Sequence, residues 1–193
     1  MCIRDSVFAG LSNFDWFSHR VLYGYLILLF GFYFLAGIGR ANIGDLKKPW
    51  FILIPASWSS KFWNMIKLDL VQTMLFAAVL IVPSVFLAHV SLGLIPLFLA
   101  GMAVCYLTGF AINLIPQIAL EETWDRFLIK PIMIGGIFLF GIVPTIILSI
   151  IVFAFTDQFV WGLFAGVLGM SLVAAILLHV TLDVLKRLEF KEM

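Results

Sequence analysis

The chain has 193 residues, 63% of them hydrophobic and only 12% charged, with a mean hydropathy of +1.13. So little charge cannot cover a soluble domain of this length, so the composition excludes that class and indicates a membrane protein. The formal net charge of +1, with no basic arm interleaved with aromatics, gives no pointer to nucleic acid.

The first six residues (1–6, MCIRDS) match the translation of a transposon-end adapter used in sequencing libraries. They are expected to be an adapter-derived scar, which leaves residues 7–193 as a fragment of a longer membrane protein. With Cys2 set aside, Cys105 is the remaining cysteine. In an apolar stretch a lone thiol serves as a small buried hydrophobe, and no disulfide framework follows.

About 20 apolar residues are needed for a helix to cross the hydrocarbon core. Five uncharged windows qualify, at 21–38, 70–88, 92–115, 132–155 and 159–179. The turns between the second and third, and between the fourth and fifth, are short enough to make helical hairpins. Strand alternation is absent, which argues against a barrel. The expected fold class is therefore all-α: a polytopic membrane helix bundle with five transmembrane helices. Pro83 and Pro144 fall inside windows and are expected to kink them.

Between the first two windows lies the most unusual stretch, RANIGDLKKPWFILIPASWSSKFWNMIKLD, from Arg40 to Asp69. It carries Arg40, Lys47, Lys48, Lys61 and Lys67, together with Trp50, Trp58 and Trp63, far more than a connector needs. Pro49 and Pro55 break its approach, and Ser57 is placed to cap a helix. From there Trp58, Phe62, Met65 and Ile66 share one helical face. Ser57, Ser60, Lys61, Asn64 and Lys67 share the other. The spacing predicts a short amphipathic helix in the membrane interface, with its lysines towards water. A plain surface anchor would show the same periodicity.

With five crossings, one side of the membrane receives this segment, the 116–131 loop and the tail beyond Leu182. Arg126, Lys130, Lys186, Arg187 and Lys191 add to its cations, and the opposite side holds only Arg20 and Arg4. The positive-inside rule places the basic side in the cytoplasm. No Asp, Glu, Lys or Arg is expected deep in a span, which argues against proton- or ion-driven transport. In the last window Gly162, Gly166 and Gly169 form a face of small residues for close helix packing.

Two resemblances follow from these residues. The run KKPWFILIPASWSSKFWNMIKLDLVQT between two spans is similar to the type-two ABC exporter permeases. It is closest to a branch in which a Pro-aromatic-hydrophobic-Ile-Pro-Ser stretch precedes a Lys-containing short helix. Leu53, Ile54, Pro55, Ser57, Lys61 and Phe62 match that pattern, with Trp58 and Trp63 where other apolar residues are common. The resemblance implies that this element is the cytoplasmic coupling helix, with Pro55, Ser57, Trp58, Lys61, Phe62 and Trp63 docking onto an ATP-binding cassette subunit. It also implies that residues 7–193 form one transmembrane permease domain, namely spans two to six of a six-span unit, paired with a second permease half or a second copy. The basic tail LDVLKRLEFKE is similar to the family's C-terminus. Many such exporters carry a re-entrant helical pair between the last two spans, and 132–179 leaves little room for one. No GxxxxGK[ST] loop is present, so ATP and Mg²⁺ would sit on the partner, with no cofactor, metal or catalytic residue in this chain. A bacterial plasma membrane location follows from the same resemblance.

The second resemblance is to the CAAX-type intramembrane metalloproteases. Glu121-Glu122-Thr123-Trp124-Asp125-Arg126 spells their EExxxR motif, and His179 and Asp183 resemble their HxxxN/D motif. Such chemistry needs paired carboxylates and metal-holding histidines. No histidine lies between Arg126 and His179, and His89 falls on the opposite side in this topology. Arg126 is followed by Phe127 and Leu128 rather than closing the motif. A solvated helix start with local ion pairing accounts for the same charges. A non-catalytic membrane scaffold is the third reading.

Overall fold

The computed structural model describes residues 2–40, 57–87, 91–119 and 125–189. Six α-helices follow in order: α1 (Cys2–Arg40), α2 (Trp58–Leu87), α3 (Ile95–Ala119), α4 (Asp125–Ile137), α5 (Val143–Thr156) and α6 (Phe159–Glu189). Helix α4 runs into α5 through a π-helical turn at Phe138–Ile142, so the two form one rod. Five stretches are long and apolar enough to cross a membrane: Val21–Arg40, Ser59–Phe86, Leu92–Ile118, Pro131–Thr156 and Phe159–Val184. No strand occurs among the described residues. The fold is an all-α helix bundle.

Helix α3 is the centre. Half of its most apolar window is buried inside the protein, against 11% for the α4–α5 rod, whose surface is left for lipid. Helices α1, α2, α4 and α6 all pack on α3, and α5 reaches the bundle through α6. The α1–α3 contact is close enough to require glycine on both sides. A Cβ at Gly37 would strike the backbone of Tyr106 and Phe110, and one at Gly109 would strike the carbonyl of Phe34. Without side chains between them, the two backbones meet directly. Asn113 Nδ2 donates to the carbonyl of Ile38 at 2.6 Å, which satisfies one of the orphan carbonyls at the end of α1.

Helices α5 and α6 form an antiparallel hairpin. A Cβ at Gly162 would meet Phe153 Cβ at 2.9 Å, one at Gly166 would meet Ser149 Oγ at 3.1 Å, and one at Gly169 would meet Thr145 Cγ2 at 3.0 Å. The small face of α6 is thus filled by α5 from the same chain. Ser149 Oγ donates to the Gly162 carbonyl at 2.6 Å across this seam. The connection is Asp157 and Gln158 alone. Asp157 takes the left-handed conformation (φ 53°), and its N–H bonds the Phe153 carbonyl at 2.8 Å to close α5. No re-entrant pair separates the last two crossings.

The prolines act differently from one another. Helix α2 continues through Pro83 to Leu87. At Pro144, the preceding turn widens: the Val143 N–H bonds the Phe138 carbonyl five residues back. That π turn accommodates a ring that would otherwise press on the carbonyl four residues earlier.

The α1–α3 contact gives a sharp contrast between glycines. Gly109→Ala should force the helices apart and lower stability by about 1–3 kcal/mol, the usual cost of overpacking. Gly24→Ala, where nothing lies within 4 Å, should leave stability unchanged or slightly raised. Thermal unfolding of both variants in detergent or nanodiscs checks the difference.

Candidate functional site

Two hydrophobic cores stack along the bundle. One joins Leu22, Leu26, Leu29 and Tyr33 of α1 to Ala77, Ile81 and Val85 of α2 and Phe98 and Met102 of α3. The other lies towards the Arg40 end and joins Phe62 and Ile66 of α2 to Phe110–Ile115 of α3 and Leu177 and Leu178 of α6. Helix α2 contributes to both along one stripe.

The start of α2 is where polar and apolar surfaces change places. Ser57 caps the helix: its Oγ accepts the Ser60 N–H at 3.4 Å, and its carbonyl accepts the Lys61 N–H at 3.1 Å. Phe62 is fully buried, 6.5 Å from the Phe110 ring. Ser60, Trp63, Asn64 and Lys67 are exposed, three or four residues apart, and make one outward stripe. One turn later the outward face is apolar, with Leu68, Val71, Leu75, Phe76 and Val79 exposed.

Length gives this switch a meaning. A 30-residue helix is about 45 Å long, whereas the hydrocarbon core is about 30 Å thick. The stretch from Leu68 to Leu87 alone matches the core. That leaves α2 about ten residues more than a perpendicular crossing needs.

At that change of face three helices meet at one carboxylate. Arg40 Nη1 of α1 donates to Asp69 Oδ1 of α2 at 3.1 Å, and Tyr106 OH of α3 donates to Asp69 Oδ2 at 2.8 Å. Thr73 Oγ1 donates to the Asp69 carbonyl at 2.7 Å and lies 3.4 Å from Arg40 Nη1. The side chains of Arg40 and Asp69 are 43% and 32% exposed, so the ion pair is screened and contributes only about 0–1 kcal/mol. Tyr106 is 1% exposed, and its bond to an ionised acceptor is the stronger link, on the order of 1.5–3 kcal/mol.

On another side of the bundle, α1 and the α4–α5 rod are separated by an apolar cleft. Two cavities of about 460 and 560 Å³ share Phe34 and Phe138. Ile27 and Phe30 of α1, Gly101 and Cys105 of α3, and Ile146 and Phe153 of α5 line the larger one. Its hydroxyl groups already donate within the chain, Thr145 to the Ile142 carbonyl and Ser149 to that of Gly162.

These features have a family context. A family model described as "Putative ABC exporter" matches residues 1–189. The chain belongs to this ABC exporter family. No curated protein and no solved structure matches it.

For an ABC exporter, the residues of the expected docking element separate by position. Pro55 lies outside the described residues, as do Leu53, Ile54 and the rest of 41–56. Ser57 is the helix cap. Trp58 opens α2, with its side chain outside the described residues. Trp63 is 37% exposed and available to a partner. Phe62 and Lys61 are not: Phe62 is at 0%, and Lys61 at 8% exposure is buried rather than directed to water as periodicity suggests. The reason is that α2 begins against both α3 and α6, so its covered arc is wider than a single contact would make it. Among the described residues the expected docking element is not a separate helix: Trp58–Asn64 are the first turns of α2 itself.

The exporter's other candidate motif gains nothing from the geometry. Glu121 and Glu122 lie outside the described residues. His179 Nε2 is 3.6 Å from Asp183 Oδ2 one turn along α6, both exposed. Among the described residues no three His, Cys, Asp or Glu side chains converge as metal ligands.

Sequence reasoning missed the Arg40–Asp69–Tyr106 cluster. The signal was present: Asp69 falls in register with Phe62, Ile66 and Thr73 on the buried stripe of α2. A pair of truncations separates packing from exposed surface. Phe62→Ala should cost about 3–5 kcal/mol of stability, whereas Trp63→Ala should change it by no more than about 0.5 kcal/mol. Denaturation monitored by circular dichroism reads both.

Proposed function

We propose that the chain is the membrane-spanning permease subunit of an ATP-driven exporter. ATP is bound and hydrolysed on a separate ATP-binding cassette subunit, which docks on the projecting start of α2. The observation that carries this reading is the exposed stripe of Ser60, Trp63, Asn64 and Lys67 on the first turns of a helix that is longer than a perpendicular crossing needs. An exposed aromatic flanked by polar groups suits a protein contact. The basic character of the 40–69 segment puts this end in the cytoplasm, and the membrane in question is a bacterial plasma membrane.

Cargo would move along the apolar cleft between α1 and α5. Its lining of Ile, Phe and Gly, with hydroxyls engaged internally, suits a hydrophobic or amphiphilic molecule rather than an ion. Alternating access would need a second permease half, or a second copy, to close the other side of the path.

The test is reconstitution with a candidate ATP-binding cassette subunit from the same organism. The two should co-purify, and Trp63→Asp combined with Lys67→Glu should weaken their association by roughly tenfold or more while the permease stays folded. Undiminished association of the double variant would contradict the docking surface. Metal-dependent peptidase activity abolished by Glu121→Ala would instead establish the protease reading.

A further inference from the structure

The cluster around Asp69 occupies a particular place: it separates the two hydrophobic cores. Along α2, Phe62 and Ile66 belong to one core and Ala77, Ile81 and Val85 to the other, with Asp69 and Thr73 between them. Along α3, Met102 and Phe110 belong to different cores, with Tyr106 between. Arg40 closes the group from the last turn of α1, where a helical side chain points back towards its own N-terminus and so towards this layer.

A carboxylate held in this way differs from apolar packing in one respect. Its contacts are few and directional, and the Arg40 and Asp69 side chains are 43% and 32% exposed, so the pair can part without opening a packed apolar layer. The apolar cores on either side offer no such exchange. Motion of the first turns of α2 relative to α1 is therefore easiest at this layer.

We propose that Arg40, Asp69 and Tyr106 form a breakable joint that sets the position of the end of α1 relative to the α2 docking turns. These are positioning residues: the joint made holds α1 against the docking turns in the arrangement seen here, and the joint broken lets the two part, while Phe62 and Ile66 keep those turns on α3 and α6 and the far core stays packed. The proposal rests on the docking reading for its role in transport. Its test does not involve the partner, so either can fail without the other.

The measurement is pulsed spin-label distance spectroscopy on the full chain in lipid nanodiscs, in a Cys2→Ser, Cys105→Ser background. One label pair, Gly39→Cys with Asn64→Cys, reports on the joint, since both positions are exposed and a Cβ at Gly39 meets nothing within 4 Å. A second pair, Val21→Cys with Leu92→Cys, reports on the far end, where both residues are again exposed. Asp69→Asn should raise the ratio of a longer Gly39–Asn64 distance to the original one by roughly fivefold. Tyr106→Phe, which keeps the ring stacked on Phe110, should move it in the same direction. Asp69→Glu, which keeps the charge, should return it towards wild type. In all three the Val21–Leu92 distance should stay unchanged. An unaltered Gly39–Asn64 distance in Asp69→Asn would overturn the joint. So would a change at both label pairs together, because that pattern marks general loss of packing.

Discussion

The backbone contact between α1 and α3 at Gly37 and Gly109 is what the rest of the bundle depends on. Lipid is as apolar as leucine, so helices in a membrane gain little by hiding hydrophobic side chains from it. They gain by close packing and by hydrogen bonds instead. Glycines on both helices let the two backbones meet without side chains between them, and the Asn113 bond to the Ile38 carbonyl adds a polar tie beside the contact. With α1 and α3 fixed side by side, α3 can present its remaining faces to α2, α4 and α6. The α5–α6 hairpin solves the same problem with Gly162, Gly166 and Gly169.

Against that frame α2 is conspicuous, because its outward face changes from polar to apolar within one unbroken helix. Its buried stripe is continuous, so one rigid rod connects its first turns to the interior. A separate interfacial helix joined by a flexible link could dock a partner but would transmit little. A continuous helix carries a displacement at Trp63 through Phe62 and Ile66 to α3 and α6, and along its own length to the joint at Asp69. The proposed docking of an ATP-binding subunit on these turns rests on that continuity.

Much of this was legible in the sequence. The five crossings were, because uninterrupted apolar windows near 20 residues have few other solutions. The cap at Ser57 was readable from local chemistry, and the short turn before Phe159 from the narrow gap between two apolar windows. Other features were not. Hydropathy changes near Leu70 and suggested a helix boundary there, but hydropathy marks where the hydrocarbon begins. The backbone from Ser57 to Leu87 meets no residue that stops it. Lys61 was assigned to water from a helix drawn alone. The tertiary contact with both α3 and α6 covers it, and no single-helix periodicity contains that information. Asp69 was taken as the last residue of a loop because it is charged, although its register places it with Phe62 and Thr73. The Gly37–Gly109 contact depends on which helices are neighbours, and one sequence does not state that.

The most direct test of the account is a cysteine-accessibility scan along α2 in sealed vesicles, using a membrane-impermeant maleimide on the side that carries the basic segment. Single cysteines at Ser60, Trp63, Asn64 and Lys67 should label readily, and those at Val71, Leu75 and Val79 should not, giving a sharp boundary near Leu68. Protection that already begins at Ser60 would mean that α2 does not project from the membrane, and would contradict the docking role built on it.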